Sequence, residues 1–84
     1  MDFGKALEAL KQGKRVRRSF WLGRGFYLYY VPKNHYSAVT EHAKKEFGTL
    51  VPYDAYLAVK TDHSVVPWTP SHQDLIEEDW EILD

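Results

Sequence analysis

Residues 60–82, KTDHSVVPWTPSHQDLIEEDWEI, constrain the fold more than any other segment of this chain. A strand and a turn come first, and a second short strand runs into Pro67 and Trp68. Ser71 then stands three residues before Asp74, which is the spacing of a capping box at the start of a helix. The segment therefore predicts a β-hairpin, a turn of helix through about residue 79, and a closing strand over residues 80–83.

The N-terminus carries the pattern of an amphipathic helix. Asp2 is a favourable N-cap and Gly13 a favourable residue just past a helix end. The apolar residues between them recur at helical spacing and form one stripe: Phe3, Ala6, Leu7 and Leu10.

Residues 26–31 are the strongest strand in the sequence. Phe26, Leu28 and Tyr30 point to one side and Tyr27, Tyr29 and Val31 to the other, so both faces are apolar or aromatic. We expect the helix to cover one face and a partner chain or a ligand to cover the other. Further strands are predicted at residues 14–18, as a short edge strand, and as a hairpin at residues 55–60 and 64–68, with Leu57 and Val59 inward.

Together these elements predict an α+β fold in which an N-terminal helix packs on a small antiparallel sheet and a short helical turn lies near the C-terminus. Residues 33–53 leave two alternatives open, a helix over residues 37–47 or a polar loop. We expect residues 1–84 to form a single domain. Because so short a chain buries a modest core, self-association is a common remedy.

The composition excludes several classes of protein. The chain has no cysteine, which excludes disulfides and thiolate metal sites, and it has no apolar run long enough to span a membrane. We expect a soluble cytoplasmic protein. The net charge of −1 conceals an asymmetry, because residues 1–45 hold ten Lys or Arg against three Asp or Glu, and residues 46–84 hold one against nine. Such a chain can present a basic surface or pair with itself head to tail.

Two aromatic segments are candidates for ligand binding. Phe20 and Trp21 lie beside Arg18 and precede the turn at Gly23–Gly25 that contains Arg24; a base can stack on an aromatic ring while guanidinium groups bind phosphate. Burial of Trp21 in the core or an interface is the competing interpretation.

The second segment begins at Trp68, which stands between Pro67 and Pro70. The two prolines would hold the indole in a fixed position for a ligand, or the indole packs on the short helix. Ser71 and Asp74 have capping-box spacing, and capping alone is one interpretation of them. The other is that Gln73 and the helix start bind ribose hydroxyls or a base edge, with Asp74 nearest the sugar.

The sequence gives little support for a catalytic site or a metal site. The four histidines form no metal-binding pair, and no nucleophile motif is present. Asp62 and His63 are adjacent and could form an acid–base pair, but a solvated hairpin tip is the simpler interpretation of these two residues. We expect no enzyme activity, no cofactor and no metal. The acidic cluster near residues 77–81 is either a solvated face or a partner for the basic segment of a neighbouring copy.

Both ends of the chain resemble one known family, the Thoeris anti-defence 2-like domains found mainly in phages and prophages. Family members begin approximately MxFGxALxxLKxGxxVxRxGWNGKGM, and the matching residues here are Phe3, Gly4, Ala6, Leu7, Leu10, Gly13, Val16, Arg18, Trp21, Gly23 and Gly25. They end approximately MKTADGTIVPWxxSQxDxLAxDWEIV, and the matching residues are Lys60, Thr61, Val66, Pro67, Trp68, Ser71, Asp74, Leu75, Asp79 and Trp80.

The resemblance implies a protein that binds cyclic ADP-ribose-type signals of bacterial Thoeris immunity without cleaving them, as a homotetramer with pockets at subunit contacts. Some members are linked to cyclic oligonucleotide signals and one to inhibition of CRISPR nucleases. The residues implied to bind the ligand are Arg18, Phe20, Trp21, Arg24, Trp68, Ser71, Gln73 and Asp74. Phe20 and Leu22 replace a Gly and an Asn of the family, and His72 separates Ser71 from Gln73, so the preferred ligand stays open.

Other classes of function remain as alternatives. An inhibitor that binds a protein, such as an anti-CRISPR, would use a surface patch instead of a pocket. A nucleic-acid binder would use residues 14–24 with Tyr27 and Tyr29 as stacking platforms, but the acidic second half opposes a long phosphate track. We therefore do not expect nucleic acid or membrane as a partner.

Overall fold

The computed structural model describes residues 1–21 and 25–84. The predicted N-terminal helix is confirmed as α1, Phe3–Lys11, and the Asp2 carboxylate accepts a hydrogen bond from the Lys5 N–H at 2.9 Å. The chain leaves the helix through Gly13, whose φ of 89° lies in the left-handed region that favours glycine. Ala6, Ala9 and Leu10 on the inner face are buried.

The fold is α+β, as the sequence predicts. After α1 come, in chain order, β1 Val16–Arg18, a 3-10 turn Ser19–Trp21, β2 Tyr27–Val31, β3 Asn34–Ser37, α2 Glu41–Phe47, β4 Leu50–Tyr53, β5 Tyr56–Lys60, β6 Val65–Pro67, α3 His72–Ile76 and β7 Trp80–Ile82. Five strands form one antiparallel sheet in the order β6-β5-β2-β1-β7, and β3 pairs with β4 in a separate two-stranded sheet.

The two faces of the five-stranded sheet have different neighbours. On the inner face Val16 and Leu28 are paired and buried together with α1, and Leu57 and Val59 pack against this core. The opposite side of the sheet is its outer face. There the strand register pairs Tyr27 with Lys60, Tyr29 with Ala58 and Val31 with Tyr56. Helix α1 packs on the inner face through Ala6, Ala9 and Leu10.

The prediction that residues 14–18 form an edge strand is wrong. β1 lies between β2 and β7, because the C-terminal strand pairs with it residue by residue. Two ion pairs accompany that pairing, Arg15 with Asp84 at 2.6 Å and Arg17 with Glu81 at 3.2 Å. Part of the charge asymmetry between the two halves is therefore matched within the chain itself.

The structure differs from the sequence prediction in two further segments. The helix after Ser71 ends at Ile76 instead of near residue 79, since the backbone at Glu77 is already extended and leads toward β7. Residues 34–53 contain both a helix, α2, and two strands that the sequence did not predict. Gly25 has a φ of 72°, as a turn requires, whereas Gly23 and Arg24 of the predicted Gly23–Gly25 turn lie outside the described residues.

Candidate ligand-binding site

Arg18 joins three elements at one end of the sheet. From the last position of β1 its Nη1 donates to Asp74 Oδ1 on α3, and its Nε donates to Asp79 Oδ1 just before β7, both at 2.9 Å. The Ser19 hydroxyl donates to the other Asp79 oxygen at 3.0 Å. Arg18 is 7% exposed, so this cation is held inside the protein by two carboxylates.

The ionisation of these groups follows from the same contacts. The hydrogen bond from Arg18 lowers the pKa of Asp79 below its ordinary value, and Ser19 adds to that effect. Burial alone would raise the pKa of Asp74, but hydrogen bonds from the Ser71 N–H and from Arg18 outweigh burial and lower it. All three groups are therefore charged at neutral pH.

The start of α3 has the predicted capping box. The Ser71 hydroxyl accepts from the Asp74 N–H at 3.1 Å, and the Asp74 carboxylate accepts from the Ser71 N–H at 2.7 Å. Asp74 thus uses one oxygen for the cap and the other for Arg18, and its main-chain carbonyl accepts from the Trp80 indole at 2.9 Å. Because so many contacts converge on Asp74, the position of α3 is tied to β1 and β7.

Four aromatic rings meet beneath this junction. Trp80 is at the centre, with ring centroids 5.2 Å from Phe3, 5.7 Å from Trp21 and 5.9 Å from Trp68. The tryptophan pairs are edge-to-face, a favourable arrangement for aromatic rings. Trp80 and Trp21 belong to the buried core, whereas Trp68 is half-buried at its margin.

Phe20 is the accessible ring of the N-terminal aromatic pair. Its ring is 60% exposed, and the Arg18 guanidinium carbon lies 4.6 Å from its centroid. Trp21 meets it edge-on at 6.2 Å. The 3-10 turn therefore directs the Trp21 ring inward and the Phe20 ring outward. The Arg18 guanidinium packs against one side of the Phe20 ring.

The residues predicted to bind a ligand differ in their exposure. Arg18, Trp21 and Asp74 are buried in the described structure. Phe20, Trp68, Ser71 and Gln73 are exposed or half-buried on the same two segments. Arg24 lies outside the described residues. The arrangement offers aromatic surface and side-chain hydrogen-bonding groups beside the ion pairs of Arg18 with Asp74 and Asp79.

A second group of aromatic and basic residues lies on the outer face. Arg15 lies 4.8 Å and the Lys60 ammonium 5.8 Å from the centroid of Tyr27. These residues line a shallow cavity of about 320 Å³ with Gly13, Tyr29 and Val65. The sequence analysis grouped Tyr27 and Tyr29 with the basic residues 14–24, which include Arg15. Lys60 was missed because only the strand pairing brings it to Tyr27.

Among the residues that the structure describes, potential metal ligands do not converge. Across residues 1–21 and 25–84, no three His, Cys, Asp or Glu side chains form a group suited to a metal ion. In the same part of the chain, no helix has the length and hydrophobicity to cross a membrane. Asp62 and His63 are exposed in the turn between Thr61 and Ser64, which closes through the Thr61 N–H and the Ser64 carbonyl at 2.9 Å.

Comparison with known proteins gives two concordant matches. Residues 1–83 match the family model described as the Thoeris anti-defense 2-like domain. The chain is also similar to a curated protein named Thoeris anti-defense 2, from Bacillus phage SP01. The two are 33% identical over 84 residues, which cover 99% of this chain and 94% of the relative.

Proposed function

Because the chain belongs to the Thoeris anti-defense 2-like family, we propose that this phage anti-defence protein sequesters a cyclic ADP-ribose-type nucleotide signal without cleaving it. The observation that carries the proposal is the extent of the match, which runs from end to end and includes both aromatic segments. The site geometry supports it, since a protein that only retains a ligand needs rigid aromatic walls and hydrogen bonds and no catalytic group.

In this proposal the exposed residues contact the ligand and the buried ones support them. Phe20 and Trp68 stack on the base, and Ser71 and Gln73 hydrogen-bond the ribose or the base edge. Arg24 is proposed to bind phosphate. Arg18 and Asp74 hold Phe20 and α3 in place, because their charges are already paired with each other and with Asp79. Trp21 packs beneath the surface and keeps the Phe20 ring in its outward position.

The proposal also covers the domain organisation, the location and the assembly of the protein. Residues 1–84 act as one domain in the cytoplasm of the host bacterium, without a cofactor. The protein works as a homo-oligomer, a dimer or a tetramer. Other cyclic nucleotide or oligonucleotide signals are the second candidate ligands, because Phe20 and Leu22 differ from the family pattern where the first aromatic segment would meet a base.

The proposal is tested by uptake and release. Purified protein is incubated with each candidate cyclic nucleotide, separated from free nucleotide by filtration, and then denatured by heat. We expect chromatography of the supernatant to recover the intact nucleotide in a fixed ratio to protein. Protein denatured before the incubation is the control and should retain none.

Each alternative outcome has a definite meaning. Recovery of a hydrolysed nucleotide would show an enzyme and contradict sequestration. Absence of uptake for every cyclic nucleotide would contradict the proposal and favour an inhibitor that binds a protein. Uptake of a cyclic oligonucleotide alone would replace the proposed signal with the second candidate class.

A further inference from the structure

The outer face of the five-stranded sheet carries two tyrosine rings side by side. Tyr27 and Tyr29 alternate along β2 with the buried Leu28, so both rings leave the sheet on the same face. Their centroids lie 6.2 Å apart, and both side chains are half-buried. Neither ring packs against the buried core, which is on the inner face. The two rings therefore form an aromatic surface outside the core.

Two cations stand at one end of this aromatic surface. The Arg15 guanidinium carbon lies 4.8 Å and the Lys60 ammonium 5.8 Å from the centroid of Tyr27, both within the range of attraction between a cation and a ring. The strand register places Lys60 directly opposite Tyr27, whereas Arg15 reaches the ring from the segment just before β1. Positive charge and aromatic surface thus meet on one face.

The two cations differ in how far they are already neutralised. Arg15 donates two hydrogen bonds to the Asp84 carboxylate, at 2.7 and 2.6 Å, so its charge is largely compensated. Among the described residues, no carboxylate lies within 4.0 Å of the Lys60 ammonium, although Asp62 also approaches Gly25 nearby. Lys60 therefore leaves about one positive charge for an anionic group, and lysine is a common partner of phosphate.

The cavity that these side chains line limits the size of a ligand. Its volume of about 320 Å³ lies at the lower end of the range of about 300–1,000 Å³ for small-molecule sites. One available positive charge matches one phosphate group, whereas a polynucleotide requires cations along several successive phosphates. Size and charge both indicate a single nucleotide and not a chain of nucleotides.

We propose that the outer face contains a second ligand site, which binds a nucleoside monophosphate. The base stacks on Tyr29, and the phosphate lies near Tyr27 between Lys60 and the remaining N–H groups of Arg15. The site shares no residue with the signal site proposed above, whose Trp68 packs against the core on the inner side of the sheet. The inference therefore does not depend on the identity of the sequestered signal.

Titration with adenosine monophosphate (AMP) tests the site. Nuclear magnetic resonance of the labelled protein should show saturable shifts at the amides of Tyr29 and Lys60 as AMP reaches millimolar concentration. Adenosine lacks the phosphate and ribose 5-phosphate lacks the base, so each should bind roughly tenfold more weakly than AMP. Absence of saturable shifts for the parent, or equal binding of AMP and ribose 5-phosphate, would overturn the inference.

Paired variants assign the two halves of the ligand. Tyr29→Ala should weaken AMP binding roughly tenfold, whereas Tyr29→Phe keeps the ring and should bind as the parent does. Lys60→Gln should weaken AMP binding and leave adenosine binding unchanged, a difference that loss of structure would not produce. Lys11→Gln removes an exposed lysine of α1 and should keep the parent's affinity.

Thiol protection gives a readout that does not alter the proposed ligand contacts. The chain has no cysteine, and the neighbours Val65 and Val66 are 48% and 44% exposed, but only Val65 lines the cavity. When AMP fills about nine-tenths of the sites, Val65→Cys should react about tenfold more slowly with a thiol reagent, by mass action. Val66→Cys should react at an unchanged rate.

The outcomes separate this inference from the proposed function. A Val65→Cys thiol that is unreactive before AMP is added, beside a reactive Val66→Cys, would show that another copy covers the outer face and would overturn the site. Loss of AMP binding in Phe20→Ala with normal binding in Tyr29→Ala would move AMP to the signal site, with the same consequence. Tyr29→Ala should still take up the cyclic nucleotide, and a parent that binds AMP without such uptake would contradict the proposed function alone.

Discussion

At the scale of single residues, the adjacent aromatic side chains Phe20 and Trp21 lie in different environments. Trp21 is 9% exposed and packs edge-on against Trp80, whereas Phe20 beside it is largely in solvent and rests on the Arg18 guanidinium. Sequence patterns predict ligand contact for both. Burial assigns the tryptophan to the core and leaves the phenylalanine as the ring that a base can reach.

Replacement of each residue by alanine should distinguish its contribution to stability from its contribution to nucleotide binding. Trp21→Ala should lower the free energy of unfolding by about 3–5 kcal/mol, as buried aromatic residues do. Phe20→Ala should change it by less than about 0.5 kcal/mol and weaken nucleotide binding roughly tenfold to a hundredfold, since stacking is worth about 1–3 kcal/mol per base. Chemical denaturation and calorimetric titration measure the two quantities.

Ile76→Ala provides the control for Phe20→Ala, because Ile76 is 58% exposed on α3 and Phe20 is 60% exposed. It should bind nucleotide as the parent does. Normal binding by Phe20→Ala would show that its ring is not part of the site.

At the scale of elements, Arg18 connects β1 with α3 and β7 through Asp74 and Asp79. These contacts fix β7 and α3 against β1, and α3 carries Gln73 and is capped by Ser71. Breaking a buried pair by removal of one partner is strongly destabilising, since a charge is left without compensation. The junction therefore links the stability of the fold to the placement of the candidate site.

The junction predicts a specific dependence on pH. The pKa of Asp74 and that of Asp79 are lowered in the folded protein, so the unfolded chain binds protons more readily. The stability that these carboxylates contribute is complete above their ordinary pKa of about 4 and is lost as the pH falls below it. Denaturation curves should show the parent losing stability steeply over that acidic range.

Asp79→Asn should flatten this loss at low pH and reduce stability at neutral pH, because the pair with Arg18 is weakened at every pH. Asp62→Asn removes an exposed carboxylate in the hairpin turn and should keep the parent's pH profile. An Asp79→Asn profile that is parallel to the parent's would show that the ion pair does not govern acid stability.

At the scale of the whole molecule, a packed body is distinct from residues 34–53, which contain β3, α2 and β4. The body contains α1, the five-stranded sheet and the aromatic cluster, whereas residues 34–53 expose large apolar side chains such as Val39, Phe47 and Leu50. A chain of this size gains a limited amount of stability from its own core. Association of copies should therefore contribute measurably to the stability of the folded state.

Association makes stability depend on protein concentration. Because the partner binds only the folded chain, we expect the Tm of the parent to rise across about a hundredfold increase in protein concentration. Scanning calorimetry measures the Tm, and a concentration-independent parent Tm would argue against stabilisation by self-association.

Local sequence patterns predicted those elements whose determinants lie close together in the chain. The Asp2 cap with its apolar stripe predicted α1, the Ser71–Asp74 spacing predicted the capping box, and alternation predicted β2. The β3–β4 pair was missed because its two strands contain Asn34, Ser37 and Pro52 and are separated by a helix, which leaves no period-two pattern to detect.

The sequence by itself determined the family and the types of the elements outside residues 33–53, and it predicted the two segments that are proposed to bind the ligand. The tertiary structure decided what each side chain does there. Arg18 reaches carboxylates 56 and 61 positions away, and the same pairing of β1 with β7 moves β1 from the edge to the interior of the sheet. Burial and long-range charge pairing depend on which distant segments meet, and no local pattern of residues contains that information.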